Sequence, residues 1–237
     1  EPRRWYAYES EMQNPADDPP DAWVPGEFTF ARLRYRAYRR GRWGTDANKS
    51  ERLFLQGLRR LSRVDLRSVE EIVDIDSDTM HNFPFLYAVA PHDWVINEPQ
   101  AARLREFFER GGTLMVDDFH GIPEWAGFMR SMERVLPGNT IVEIPNDDPI
   151  FHTVFNLEER VQISGWNIVN GSPWERGGIE PHWRAALDSR GRIAVMICFN
   201  MDVGDAWEWS DHPAYPEKLS SLAYRLGINY VMYAMTH

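Results

Sequence analysis

Apolar residues recur along this chain with two alternating periods. From Phe28 to Tyr35 the apolar positions Phe28 and Phe30 lie two apart, followed by Ala31 and Leu33, the repeat of a strand. Ser50 to Val64 instead sets Leu53, Phe54, Leu58 and Leu61 at helical spacing, with Ser50 as N-cap. Val69 to Ile75 reads as a second strand. Phe85 to Ala90 is a continuous apolar run, as a strand buried on both faces requires. Helical spacing returns in Glu98 to Arg110 through Ala101, Leu104, Phe107 and Phe108, and Gly111-Gly112 closes it. Thr113 to Val116 is another buried strand, and Trp125 to Val135 a helix stopped by Pro137-Gly138. Thr140 to Ile144 and Arg192 to Phe199 read as later strands, and Leu219 to Met235 as a C-terminal helix burying Leu219, Leu222, Ala223 and Leu226.

Strands alternating with helices predict an α/β fold, an open, mostly parallel, doubly wound sheet with right-handed crossovers. Residues 28–237 are expected to form one domain. Residues 1–27, rich in Pro, Asp and Trp and without either period, read as an extended N-terminal arm. In such sheets ligands sit beyond the carboxyl ends of the strands, near the switch in strand order. That rule selects the loops Tyr38 to Asn48, Asp76 to Pro84, Pro91 to Glu98 and Asp117 to Glu124.

Composition narrows the field. Apolar residues make up 43% of 237, enough for a sizeable core and too many for global disorder. The net charge of −10 argues against a nucleic-acid or anionic-membrane surface. No apolar run of membrane-spanning length is present. The single Cys198 excludes an intramolecular disulfide and a Cys-rich zinc site, and inside an apolar strand its thiol is expected to be inert. A start at Glu1 rather than Met points to removal of a signal or anchor segment, hence a periplasmic or exported protein, or to trimming. Several of the 10 Trp (Trp43, Trp94, Trp174, Trp207, Trp209) fall in polar stretches, where an indole lines a cleft or pins a loop to the body.

The chemistry-bearing segments follow strands. Asp117-Asp118-Phe119-His120-Gly121 offers two acids and an imidazole, able to hold a divalent metal or to act as acid and base. Strand alternation turns the two acids apart, and a helix cap plus an Arg pair would explain the same residues. Arg39, Arg40 and Arg42 are available for that pairing. Asn200 to Glu208 resembles a calcium loop in composition but lacks the EF-hand spacing, and an Asx-turn on Asn200 and Asp202 explains it too. His81, His92 and His152 are lone imidazoles near strand ends or turns, more often structural than ligating. No His-Glu-x-x-His, phosphate loop, Gly-x-Gly-x-x-Gly or Gly-x-Ser-x-Gly is present. The candidate cleft residues are Trp43, Asp46, His92, Asp117, Asp118, His120 and Trp207. The candidate metal ligands are Asp117, Asp118, His120, Asp202 and Asp205.

Five segments in order, Phe83 to Tyr87, Gly111 to Gly121, Asp148 to His152, Asn200 to Glu208 and Leu226 to Tyr230, resemble the bacterial family called domain of unknown function 4159. The resemblance spans roughly Phe28 to His237. It implies a flavodoxin-like, class I glutamine-amidotransferase-like topology, often in exported or membrane-anchored proteins, and no assigned activity. In amidotransferase-like folds a Cys or Ser nucleophile sits at a strand-to-helix elbow. The strand Thr113 to Val116 matches that position and runs into Asp and Phe instead. Two functions follow as expectations. The first is a non-catalytic domain presenting a Trp- and Asp-rich cleft to a small ligand, glycan or protein partner. The second is a metal-assisted hydrolase in which Asp117 or Asp118, with His120 and Asp202 or Asp205, holds a divalent ion.

Overall fold

Alternate side chains of the central strands enter two different cores, and this decides the architecture. A computed structural model describes residues 16–39 and 42–237. Its strands are β1 (Ala31–Arg34), β2 (Glu71–Asp74), β3 (Phe85–Val89), β4 (Thr113–Asp117), β5 (Ile141–Glu143), β6 (His182–Leu187) and β7 (Ile193–Phe199). They form one open seven-stranded sheet in the order β2-β1-β3-β4-β7-β6-β5. The first five positions pair in parallel, whereas β6 and β5 are antiparallel. The helices are α1 (Lys49–Leu61), α2 (Glu98–Glu109), α3 (Gly121–Val135), α4 (Val203–Glu208) and α5 (Glu217–Thr236).

In β3, Phe85, Tyr87 and Val89 face one core while Leu86 and Ala88 face the other; β7 divides Met196 and Cys198 from Val195 and Ile197 in the same way. The first core takes Phe54 and Leu58 of α1, Trp207 of α4 and Leu222 and Leu226 of α5. The second takes Leu104 and Phe107 of α2 and Phe128 and Met132 of α3. Helices therefore cover both faces, and every residue of β3, β4 and β7 is buried. These are the three strands expected to be central from their uninterrupted apolar runs. Cys198 lies inside β7, where burial and the nearby Asp117 raise its thiol pKa.

Two elements carry no clear sequence period. β6 joins Trp183 and Arg184 to half-buried neighbours, so its alternation is blurred. It adds the antiparallel margin of the sheet. α4 has only six residues, too few to display a helical period, and its segment read as a turn. Of the expected arm, residues 1–15 lie outside the described residues, as does Arg40. The remainder is tied to α1 and its surroundings: Asp18 pairs with Arg52 at 2.5 Å, and Asp21 meets Arg59 at 2.9 Å and Ser68 at 2.7 Å. Among the described residues, no helix is long and apolar enough to cross a membrane.

Candidate functional site

The site begins with a buried cation in β1. Arg32 is fully buried, pairs with Glu51 of α1, and donates to the carbonyls of Trp43 and Thr45 at 2.8 Å each. Burial works against its charge, but Glu51, Tyr87 and Asp46 together more than offset this and raise its pKa. The loop after β1 is thus pulled over the strand end, and Asp46 sits on it with φ of 65°. At the end of β4, Asp117 and Asp118 diverge as alternation requires.

Asp117 turns under α4. Its Oδ2 accepts from the Tyr87 hydroxyl at 2.9 Å and from the backbone N–H groups of Val203 and Gly204 at 2.8 Å each. Burial pushes its pKa up to about 7, against the lowering effect of those amides. The folded protein therefore keeps a proton that the unfolded chain releases near its ordinary 3.8. The associated stability is fully present below about pH 4 and is lost as pH rises through about 7. Asp117→Asn preserves an acceptor for all three donors and cannot ionise. Its urea midpoint is expected to fall less between pH 4 and 7 than the wild type's, by a difference on the order of 2–4 kcal/mol in unfolding free energy. Parallel pH profiles for the two proteins would show that Asp117 is ionised throughout.

Asp118 turns up into a cleft of about 220 Å³. It occupies the turn between β4 and α3 with φ of 51°. Burial alone would raise its pKa. His120 Nε2 at 3.3 Å, Arg42 at 3.6 Å and Arg176 at 3.8 Å together hold it below the ordinary carboxylate range. At the end of β7, Asn200 (φ 62°) accepts from Gly121 N–H at 2.8 Å and donates to the Glu180 carbonyl at 2.6 Å. It stitches the turn after β4 to the segment before β6.

α4 supplies the rest. Asp202 caps it through the Asp205 N–H at 2.8 Å, and Asp205 and Glu208 lie three residues apart, one turn along the same face. One carboxylate oxygen from each of Asp46, Asp205 and Glu208 lies within 4.8 Å of the other two. Asp205 also accepts from the Trp166 N–H at 2.6 Å and from Trp209 Nε1 at 3.1 Å. Burial pushes Asp205 up to about 6 and Glu208 up to about 8, and it raises Asp46 and Asp202 as well, with Asp205 adding to both. Among the described residues six carboxylates line this cleft against two guanidinium groups, and that excess of acid works with burial to keep several of them protonated. Gly165 forms part of the wall: a Cβ there would lie 2.8 Å from oxygens of Asp202, Asp205 and Glu175.

The family described as a domain of unknown function (DUF4159) matches the chain over residues 29–235. The protein belongs to that family. No curated protein matches it.

In this DUF4159 domain the residues singled out from the sequence take separate places. Asp46, Asp118, Asp202 and Asp205 line the acidic cleft. Asp117 lies beneath it and His120 is buried behind Asp118. His92 stands further off, 3.4 Å from Glu124, which also meets Arg176. Trp43 is buried and faces a different groove, of about 680 Å³, at the ends of β1 and β2, with Arg34 over its ring. Trp207 is wholly buried in the core, stacked on Phe54 at 4.4 Å. Trp94 is likewise buried, stacked on Phe128, whereas Trp174 is half-exposed. His81 lies 3.9 Å from Glu106 and His152 bonds Asn156 and the Asn146 carbonyl. Of the four loops selected by the carboxyl-end rule, those after β1 and β4 meet at the acidic cleft. Residues of the other two, Asp76 and Asn97, line the separate groove.

Glu175, Arg176, Trp166 and Asn167 also line the cleft and were not legible in the sequence. They come from the irregular stretch between β5 and β6, which has no period to place it. The nearest sequence signal is the cluster of Trp, Gly and charge in Trp174 to Gly178.

Proposed function

We propose that this chain is a binding domain on a flavodoxin-like, class I glutamine-amidotransferase-like scaffold, with its ligand taken up in the cleft beyond β1, β4 and β7. The order β2-β1-β3-β4-β7 supports that topology, because it repeats the 2-1-3-4-5 sequence of flavodoxin-like sheets. One observation carries the functional reading. The strained strand-to-helix turn after β4, where such scaffolds hold a nucleophile, holds Asp118 at φ 51°, and that carboxylate is already engaged by His120, Arg42 and Arg176. Asp46 and Arg176, two further cleft residues, also have positive φ (65° and 45°). Non-glycine residues in that conformation cost about 1–3 kcal/mol each and concentrate where a site needs them. A periplasmic or exported bacterial setting belongs to the same proposal and rests on the family resemblance.

A second reading, metal-assisted hydrolysis, is favoured by a specific observation, the buried Asp46 Oδ2, which has no hydrogen-bond partner among the described residues. It differs from the ligand set expected from sequence, since Asp117 is turned to the α4 amides.

Labelling and ligand binding together test the first reading. Protein kept in EDTA is incubated with a glutamine-mimicking diazoketone and a fluorophosphonate, and the same preparation is screened by thermal shift against sugars, amino acids and nucleotides. The expected result is no covalent adduct in the cleft, and a stabilising compound whose effect is lost in Arg176→Ala. A stoichiometric adduct on a cleft residue, or stabilisers that act equally on wild type and variant, would overturn it.

A further inference from the structure

We infer that Asp46, Asp205 and Glu208 form a binding site for one hard divalent cation, such as Mg²⁺, Mn²⁺ or Ca²⁺. The inference rests on the same cleft as the binding reading above and goes beyond it by naming a ligand and its three donors. Cation–oxygen distances of about 2.1–2.5 Å place neighbouring ligand oxygens roughly 3–5 Å apart. All three oxygens of the trio lie within 4.8 Å of one another, inside the upper limit of that range.

The second, independent observation is at Asp46. The residue is only 9% exposed, and Oδ2 is buried without a hydrogen-bond partner among the described residues. A buried carboxylate oxygen needs a donor, a proton or a cation. Among the described residues, the nearby positive groups are engaged elsewhere. Arg32 serves Glu51 and two carbonyls, Arg42 and Arg176 serve Asp118, and Lys49 pairs with Asp211 at 2.8 Å. Room beside Oδ2 is kept by Gly204, where a Cβ would come within 2.7 Å of that oxygen.

The donor set selects the kind of metal. Three carboxylates with no imidazole or thiolate suit oxygen-preferring ions rather than zinc or copper. Trp166 and Trp209 of the lining are part-exposed and Asn167 and Arg176 exposed, so solvent reaches the cleft and water or a ligand oxygen would complete the coordination. Asp205 is already oriented by the Trp166 N–H and the Trp209 indole N–H, and Asp46 by the Arg32-bound loop. Held donors of this kind raise affinity, because less ordering remains to be done on binding.

Electron paramagnetic resonance of Mn²⁺ added to EDTA-stripped, buffer-exchanged protein tests the assignment. Bound Mn²⁺ loses the sharp six-line signal of the free ion, so occupancy is read without any activity and without the organic screen above. Wild type is expected to bind one equivalent, displaceable by Mg²⁺ or Ca²⁺. Asp46→Asn and Glu208→Gln are each expected to weaken binding at least about 100-fold, beyond what loss of a merely orienting residue gives. Asp78→Asn, at an exposed acid that does not line the cleft, should leave it within about threefold of wild type, since a solvated charge is screened. Circular dichroism checks that each variant is folded, and either cleft variant alone suffices if the other is not. No binding by wild type at about 1 mM Mn²⁺, the weak limit of calcium modules, would mean that protons neutralise the trio. Unchanged affinity in a folded Asp46→Asn or Glu208→Gln would place the ion elsewhere. Either result overturns the assignment, and neither bears on whether an organic ligand enters the cleft.

Discussion

Arg32→Met is expected to destabilise the protein by about 3–5 kcal/mol, because it strands Glu51 as an unpaired buried charge. At this chain length that corresponds to a fall in Tm on the order of 10 °C, measurable by calorimetry. The cause is local and complete: both side chains are fully buried, and the guanidinium also serves the Trp43 and Thr45 carbonyls. Removing both partners should cost far less. Arg32→Met with Glu51→Leu is expected to regain most of the loss, since apolar replacement of a buried ion pair is often neutral. Even the restored variant lacks the donors that hold the loop bearing Asp46. Cation binding should therefore remain weak in the double variant while its Tm recovers. A single variant as stable as wild type would mean that the pair is not buried in solution.

Trp207→Ala should cost a similar amount, about 3–5 kcal/mol, the usual range for deleting a buried aromatic side chain. Trp207 stacks on Phe54 at 4.4 Å and meets Tyr87 at 5.6 Å and Phe30 at 6.2 Å. The packing is tight, because a Cβ on Gly227 of α5 would lie 2.6 Å from the indole and 2.7 Å from the Phe54 ring. Trp207→Phe should lose roughly half as much, since it keeps part of the stacked ring and a smaller cavity forms. Chemical denaturation reads both. A loss below about 1 kcal/mol for the alanine variant would mean that the indole is not part of the core, and would return it to the list of ligand-contacting residues.

The strands and helices with strong periods were legible in the sequence, for one reason. Uninterrupted apolar runs such as Phe85 to Val89 leave a strand no exposed face, so it has to be central. Amphipathic segments such as α1 likewise need a sheet to cover. β6 and α4 were not legible because their order comes from what they pack against: β6 takes its register from β7, and α4 is held by the Asp117 cap and the Trp207 anchor.

The site divides along the same line. From the sequence alone, Asp118, Asp202 and Asp205 could be placed after buried strands, because a carboxylate following a parallel strand lands at the carboxyl-end edge. Which of them converge was decided by tertiary structure. Strand alternation sent Asp117 beneath α4 and Asp118 into the cleft, and one turn of α4 brought Glu208 beside Asp205. Asp46 joined them across more than 150 residues of chain because Arg32 draws its loop over β1. Trp43 and Trp207, equivalent to Trp209 by composition, went to a groove and to the core, since an indole buries wherever the nearest apolar surface lies. Periodicity reports the faces that a segment must bury. Convergence of charged groups depends on crossovers and loop paths that no local period encodes.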